Sequence, residues 1–482
     1  MASHAANLMQ KAYERMIQSK KTVFEDPNRL HYHLMPPVGL LNDPNGLIFF
    51  EGKYHVFFQW NPFKTEHGAK FWGHYVSEDF IHWELAPIAL APDAWFDKDG
   101  CYSGSAIVND GKLYLFYTGN VKGVNGNRES YQCLAVSEDG ITFEKKGPVI
   151  EVEEGYTAHF RDPKVFEQGD AWYMVIGAQT NDEKGCVVLY SSNNLLDWSF
   201  EGKIAGNGMN GLDDFGFMWE CPDLFSLANK DVLVVSPQGL ESEGILYNNI
   251  YQSGYFVGNM DFQTKRFNHG AFTEIDRGFD FYAPQTFEVN GRRILIGWMG
   301  NATEDNIPQP TEKYDWVHAL TLPRELELKD NKLYQQPIRE LENLRENEVH
   351  YNQVELNHNS AVELEDVRGS VFELEVSISE LSDGLLTIEI GDAGRFVYDA
   401  KHALFSFERI GLHGKKEIRT CAIADLETIR LFKDTSSMEC FLNHGEEVFS
   451  SRVFAPEEQQ VRFHAEGTAI VHVKKWNLKQ FC

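Results

Sequence analysis

Apolar residues fall along this chain in two patterns. Between Ala5 and about Lys21, Leu8, Met9, Ala12, Tyr13, Met16 and Ile17 recur at helical spacing. That predicts one amphipathic helix laid on the surface of a larger body. After Pro27 the period changes. Short apolar runs bounded by Gly, Asn, Asp and Pro follow one another, and they predict strands for nearly all of the remaining chain.

These strands repeat. Asp43 to Gly52, Ser103 to Gly111, Asp162 to Gly169, Glu220 to Asn229 and Ala283 to Gly291 each read as a polar opening, an apolar strand and a turn. A second strand follows each: Tyr54 to Gln59, Leu113 to Thr118, Trp172 to Gly177, Val232 to Pro237 and Ile294 to Met299. The turns recur at intervals of 59, 58, 60 and 62 residues. Two intervals share a further half, Val76 to Asp79 before Trp83 and Val136 to Asp139 before Phe143, with Ser191 and Trp198 a looser copy. Four strands per unit in five units predict a five-bladed β-propeller.

Beyond Pro323 the repeat stops. Residues 325–349 are charged, with Ile338, Leu341 and Leu344 three apart, and predict a linker or short helix between domains. Alternation resumes near His350, cleanly from Val371 to Ile378, and the strands after it predict a β-sandwich of about 130 residues. The expected fold is all-β: a five-bladed β-propeller followed by a C-terminal β-sandwich, with a short N-terminal helix. Its expected parts are residues 1–27 (helix and lead-in), 28–324 (propeller), 325–349 (linker) and 350–482 (sandwich).

Charge narrows the partners. With 44 Lys and Arg against 72 Asp and Glu, the net charge of −28 repels nucleic acid and anionic membranes. No run is apolar enough to span a bilayer, and Lys11, Glu14, Arg15, Lys20 and Lys21 interrupt any signal-peptide core. Seven scattered cysteines without a Cys-x-x-Cys pair read as reduced thiols in a cytoplasmic protein. A small-molecule ligand is expected, with no nucleic acid and no membrane partner; a homo-oligomer stays open.

Candidate chemistry gathers at the openings of the repeats. In Asn42-Asp43-Pro44-Asn45-Gly46, Pro44 and Gly46 suit a type I turn that would hold Asp43 where a strand begins. The first strand of each blade lines the axis, where Pro44, Pro163, Pro222 and Pro284 are tolerated. Equivalent positions surround that axis, so Asp43, Asp162 and Glu220 are expected to converge on one pocket. Clustered acids force their pKa values apart, which suits a site needing one ionised and one protonated carboxyl. The alternative is a set of turn caps facing away from the axis.

Asn42, Gln59, Trp72, Ser103, Arg161, Tyr282 and Trp298 supply the amides, hydroxyls and aromatic faces of a sugar site. Trp298 and Tyr282 also fit a blade core. Arg161 can hold a carboxylate charged while donating to a ligand. His31, His33, His55, His67 and His74 lack a zinc spacing and read as strand histidines, so neither metal nor cofactor is expected. Cys221, beside Glu220, reads as a buried structural thiol.

The segments Asn42 to Gly46, Tyr102 to Ser105, Arg161 to Pro163, Glu220 to Pro222 and Asp280 to Gln285 resemble the motif set of glycoside hydrolase family 32, the β-fructofuranosidases. The resemblance implies a retaining glycosidase acting on terminal β-D-fructofuranosides without a metal. Asp43 would be the nucleophile, Glu220 the acid/base (protonated at rest), and Asp162 the group that binds fructosyl hydroxyls. Asn42, Gln59, Tyr102, Ser103 and Arg161 would contact the fructosyl unit. Leu40-Leu41 and Glu66-His67-Gly68 depart from the common family pattern and are expected at the rim near the leaving group.

Within the family the intracellular bacterial enzymes acting on sucrose-6-phosphate are most similar. Lys122 and Arg128, in and after the loop from Gly119 to Asn127, are candidates for its phosphate; a solvated loop is the alternative. Fructan hydrolysis and fructosyl transfer on the same site, a non-catalytic carbohydrate-binding propeller, and an inverting arabinan-type hydrolase are the rival readings.

Overall fold

The structure, a computed structural model, describes residues 2–123, 125–300, 307–358 and 360–481. Its helix runs Ala2–Phe24, and Leu8, Met9, Ala12, Tyr13 and Met16 pack on the core it covers. Arg15 and Ser19 pin it to Asp315. Ile17, expected on the packed face, is 75% exposed instead. Among the described residues no helix is long and apolar enough to cross a membrane.

Five antiparallel sheets follow in chain order, and the innermost strand of each opens its repeat. These strands are Gly39–Phe50, Cys101–Asn109, Tyr156–Gln168, Met218–Leu227 and Tyr282–Val289. They neighbour one another in ring order, and the fifth packs against the first. Trp316–Val317 adds to the first sheet by pairing parallel to Gly39–Leu40.

Every inner strand is interrupted at the same place. The register slips between Leu41 and Pro44, Cys101 and Gly104, Arg161 and Lys164, Glu220 and Asp223, and Tyr282 and Gln285. Each slip is a β-bulge, which frees two residues from the ladder and re-aims their side chains. Proline stands in three of these bulges, as Pro163, Pro222 and Pro284, because it has no N–H to give the ladder, and Pro44 closes a fourth. In three of them the residue before it takes a left-handed φ: Asp162 at 66°, Cys221 at 48° and Ala283 at 47°. Asp43 therefore sits in a bulged, continuous strand and not in the turn the sequence predicted.

The fifth sheet extends further than expected. Residues Arg324–Lys329 and Lys332–Pro337, assigned to a linker by their charge, form its two outer strands. Their buried side is carried by Arg324, Leu326, Leu333 and Gln335, a period-two pattern that the intervening Glu and Lys residues mask. The expected linker shrinks to a 3-10 turn over Arg339–Leu344, with Ile338, Leu341 and Leu344 clamped in the interdomain core.

From Arg345 the chain builds two six-stranded antiparallel sheets around a separate apolar core. Six cysteines are buried and unpaired; Cys482 lies outside the described residues.

Buried charges join sandwich to propeller. Arg324 reaches Asp276 at 3.0 Å and Glu439 at 2.7 Å, all three side chains without exposed surface. Asp280 accepts from Arg409 and from the Arg452 guanidinium at 2.8 Å. His33 sits between Asp434 (2.8 Å) and Glu439 (3.0 Å), which occupy both ring nitrogens. Burial pulls its pKa down, but the two carboxylates outweigh that and lift it from 6.5 to about 9. A pKa raised by folding adds stability that is complete below about 6.5 and fades as pH rises through about 9. Replacing His33 with Gln leaves two buried carboxylates short of a cation and is expected to cost roughly 3–5 kcal/mol near neutral pH. Urea titrations of both proteins from pH 6 to 10 should show that gap closing with rising pH; a gap independent of pH would refute the charge assignment.

Candidate active site

The bulges bring the predicted residues together. Asp43 and Ser103, from the first and second inner strands, share a short hydrogen bond in which Ser103 Oγ donates to Asp43 Oδ2. Asn42 Nδ2 donates to Asp43 Oδ1 at 3.1 Å and to Gln59 Oε1 at 3.0 Å, and Gln59 Nε2 closes the loop on Ser103 Oγ. Asp162 follows on the third strand. Its backbone N–H donates to Thr118 Oγ1 at 2.9 Å, and its Oδ2 accepts the Cys221 N–H at 3.0 Å. The Cys221 thiol lies 3.8 Å from Asp43 Oδ2 and 3.6 Å from Asp162 Oδ2, between the two carboxylates.

Glu220 stands one residue before Cys221. Its Oε1 accepts from Arg161 Nε at 2.9 Å and Nη2 at 2.7 Å, and its Oε2 from Gln238 Nε2 at 2.6 Å and Tyr282 Oη at 2.7 Å. The motif register explains these contacts. Counted back from Pro44, Gly104, Pro163, Pro222 and Pro284, the residues Asp43, Ser103, Asp162, Cys221 and Ala283 stand one step before, and Asn42, Tyr102, Arg161, Glu220 and Tyr282 two. Treating Glu220 as the equivalent of Asp43 and Asp162 was therefore one step out of register. The acids converge all the same.

A cavity of about 470 Å³ opens at the far ends of the inner strands, where Lys164 pairs with Asp223 at 3.1 Å; none of the three acids lines it. The candidate chemistry belongs to the bulged end alone.

Comparison with known proteins decides the family. The model for the glycosyl hydrolases family 32 N-terminal domain matches residues 33–337, and that for the family 32 C terminal matches residues 340–479. The chain belongs to glycoside hydrolase family 32. It is 52% identical to the sucrose-6-phosphate hydrolase of Bacillus subtilis, over 99% of this chain and 100% of that one. The sucrose-6-phosphate hydrolase of Salmonella typhimurium is 43% identical over 93% of this chain and 94% of its own. Among solved structures, the Lactobacillus gasseri sucrose-6-phosphate hydrolase superposes with a TM-score of 0.87 at 31% identity, covering 98% and 97% of the two chains. The Bombyx mori β-fructofuranosidase of family 32 gives 0.86 at 34% identity over 98% of each.

The protonation pattern of this family 32 site differs from the sequence expectation. Burial raises Glu220, but Arg161 and then the Tyr282 hydroxyl outweigh it and hold the carboxyl below its ordinary value. Burial and the Glu220 charge push Asp162 up to about 7. Asp43 is also raised, first by burial, with the Ser103 bond opposing. Asp162 is thus pushed toward its protonated form, and Glu220, expected protonated at rest, toward its charged form. The cause is the choice of partner: Arg161 pairs with Glu220, not with the adjacent Asp162. Burial and the three acids around it raise the Cys221 pKa well above normal, so it is a thiol and no nucleophile.

Some expected contacts are corrected. Leu40 and Leu41 have no exposed surface, and Leu41 packs in the core beside Val38 and Trp60; neither forms a rim. Trp72 is likewise fully buried. It packs against Phe57 and Tyr117 and donates its indole N–H to the Tyr102 carbonyl, so it braces Tyr102 and presents no face to a sugar. Trp298 is 2% exposed and meets Tyr282, His67 and His318 edge to face. The sequence reading missed Gln238 and His159. Gln238 lies on the strand beside the fourth inner strand and His159 on the third inner strand, two residues before Arg161; neither belongs to a repeat motif.

Proposed function

We propose that this protein hydrolyses the fructosyl–glucosyl bond of sucrose and of its 6-phosphate ester by double displacement. The observation that carries the reading is the hydrogen-bonded meeting of Asp43, Asp162 and Glu220 through Ser103, Cys221 and Arg161. The names of the bacterial relatives support the phosphorylated substrate, and the Bombyx mori enzyme, whose variant has been captured with sucrose, supports the disaccharide.

Asp43 acts as nucleophile on the fructosyl anomeric carbon, steadied by Ser103 and Asn42. Glu220 gives a proton to the glycosidic oxygen and later takes one from the attacking water. Asp162, Asn42 and Gln59 hold fructosyl hydroxyls. Substrate in the pocket excludes water and engages Arg161, and both changes raise Glu220 and return it the proton it needs. Its expected place of work is the cytoplasm, in keeping with six unpaired cysteines.

Measuring kcat/KM for sucrose and for sucrose-6-phosphate tests the reading. Release of fructose from both, faster from the phosphorylated sugar, is expected; binding without release would make the protein a lectin. Tyr282→Phe removes a donor that favours ionised Glu220, so the basic limb of the kcat/KM profile should move to higher pH. An unmoved limb would detach Tyr282 from the acid.

A further inference from the structure

The cations of this site are gathered unevenly. Ser103 and Asp162 are buried within it. Tyr102 and His159 lie near Arg161 and keep part of their surface exposed. Because Glu220 is the proton donor in the proposed reaction, the leaving sugar departs on its side.

Arg128 stands there. It is half-buried, its guanidinium lies over the Tyr102 ring at 5.9 Å, and among the described residues it forms no ion pair with a carboxylate. Its charge is therefore available to an anionic ligand. His159 completes the pair. Arg161 Nη1 donates to His159 Nδ1 at 2.9 Å, which puts the imidazole proton on Nε2 and leaves that nitrogen a donor. Burial, then Arg161 and Arg128, lower this histidine to about 4, so it is neutral without ligand.

We propose that Arg128 and His159 form the subsite for the phosphate monoester on the leaving sugar. The assignment rests on the function proposed above, since Glu220 defines the leaving side. A phosphate monoester carries roughly −1.5 to −2 charge near neutral pH and three acceptor oxygens, and a planar guanidinium pairs with two of them. The imidazole Nε2–H supplies a third donor, and its basicity rises beside the dianion. Of the two cations expected in the loop after Gly119, Arg128 carries this role. Lys122 is exposed, and its backbone N–H is taken by Asp99 at 2.7 Å. A lysine is also the poorer choice for bidentate recognition.

The test is the ratio of kcat/KM on sucrose-6-phosphate to kcat/KM on sucrose, measured for the wild type, Arg128→Gln and Arg128→Lys. The ratio should fall about tenfold or more in Arg128→Gln, from one lost charge-assisted contact, and recover in part in Arg128→Lys. A ratio within about twofold of wild type in Arg128→Gln would overturn the subsite. Inorganic phosphate, assayed as a competitive inhibitor of sucrose hydrolysis, separates the sources. If Arg128→Gln weakens that inhibition and leaves the ester ratio unchanged, the site serves free phosphate and the proposal fails. Failure of the underlying function looks different: the wild type would then release fructose from neither sugar.

Discussion

Asp43→Asn is expected to fold, bind sucrose and turn it over about 10⁴-fold more slowly, or worse. The amide matches the carboxylate in shape. Its oxygen can accept from Asn42 Nδ2, and its NH2 can donate to Ser103 Oγ, so the bulge keeps its hydrogen bonds. What vanishes is the nucleophile. An amide has no anionic oxygen to attack the anomeric carbon, and no other group touching Asp43 replaces it, because the nearby Cys221 is held as a thiol. Fructose release gives the turnover, calorimetry with sucrose the binding, and circular dichroism the fold. Near-normal turnover in a folded Asp43→Asn protein would remove Asp43 from the chemistry.

The second large effect belongs to Glu220. Glu220→Gln should lose about 10²–10⁴-fold in kcat on sucrose, whose glucosyl leaving group needs a proton. On an aryl β-D-fructofuranoside the first step needs little help, while the second still lacks its base. The variant should therefore release a burst of aryl alcohol and then stall. Gln keeps one acceptor, which can face Arg161, while its NH2 would stand where Tyr282 and Gln238 now donate, and the 8%-exposed Arg161 loses its counter-charge. Some loss of stability will accompany the kinetic change, since breaking a buried pair is costly. Stability and burst must be read separately: a folded variant that shows equal losses on both substrates and no burst would exclude Glu220 as acid and base.

How the sequence announces this site follows from its architecture. The repeat of about sixty residues was legible because every blade must bring an apolar strand to one axis and turn away again. Site residues were legible for the same reason: they stand one or two residues before the proline, or Gly104, of each motif, and proline lies in or beside four of the five bulges. The bulge itself was not. Asp-Pro-Asn-Gly satisfies turn chemistry and bulge chemistry alike, and only the partner strand distinguishes them.

The outer strands of the fifth blade were hidden because Glu325, Glu327 and Lys329 occupy their solvent side and make the segment look like a linker. Leu40 and Leu41 were placed near substrate because they precede Asn42-Asp43, and Trp72 because an aromatic face suits a sugar ring. Along a strand, adjacent side chains face opposite ways, so a neighbour in sequence is often a neighbour of the core. The ionisation of Glu220 could not be read at all. It depends on which of two nearby acids receives the Arg161 guanidinium, a pairing set by the fold.

Peptide mass spectrometry of Glu220→Gln, quenched in acid after incubation with an aryl β-D-fructofuranoside, would read the first chemical step on the protein itself. One fructosyl group on the peptide that carries Asp43 is the predicted result. A group attached elsewhere, or turnover with inverted product and no attachment, would contradict the assignment of Asp43 as the attacking carboxylate.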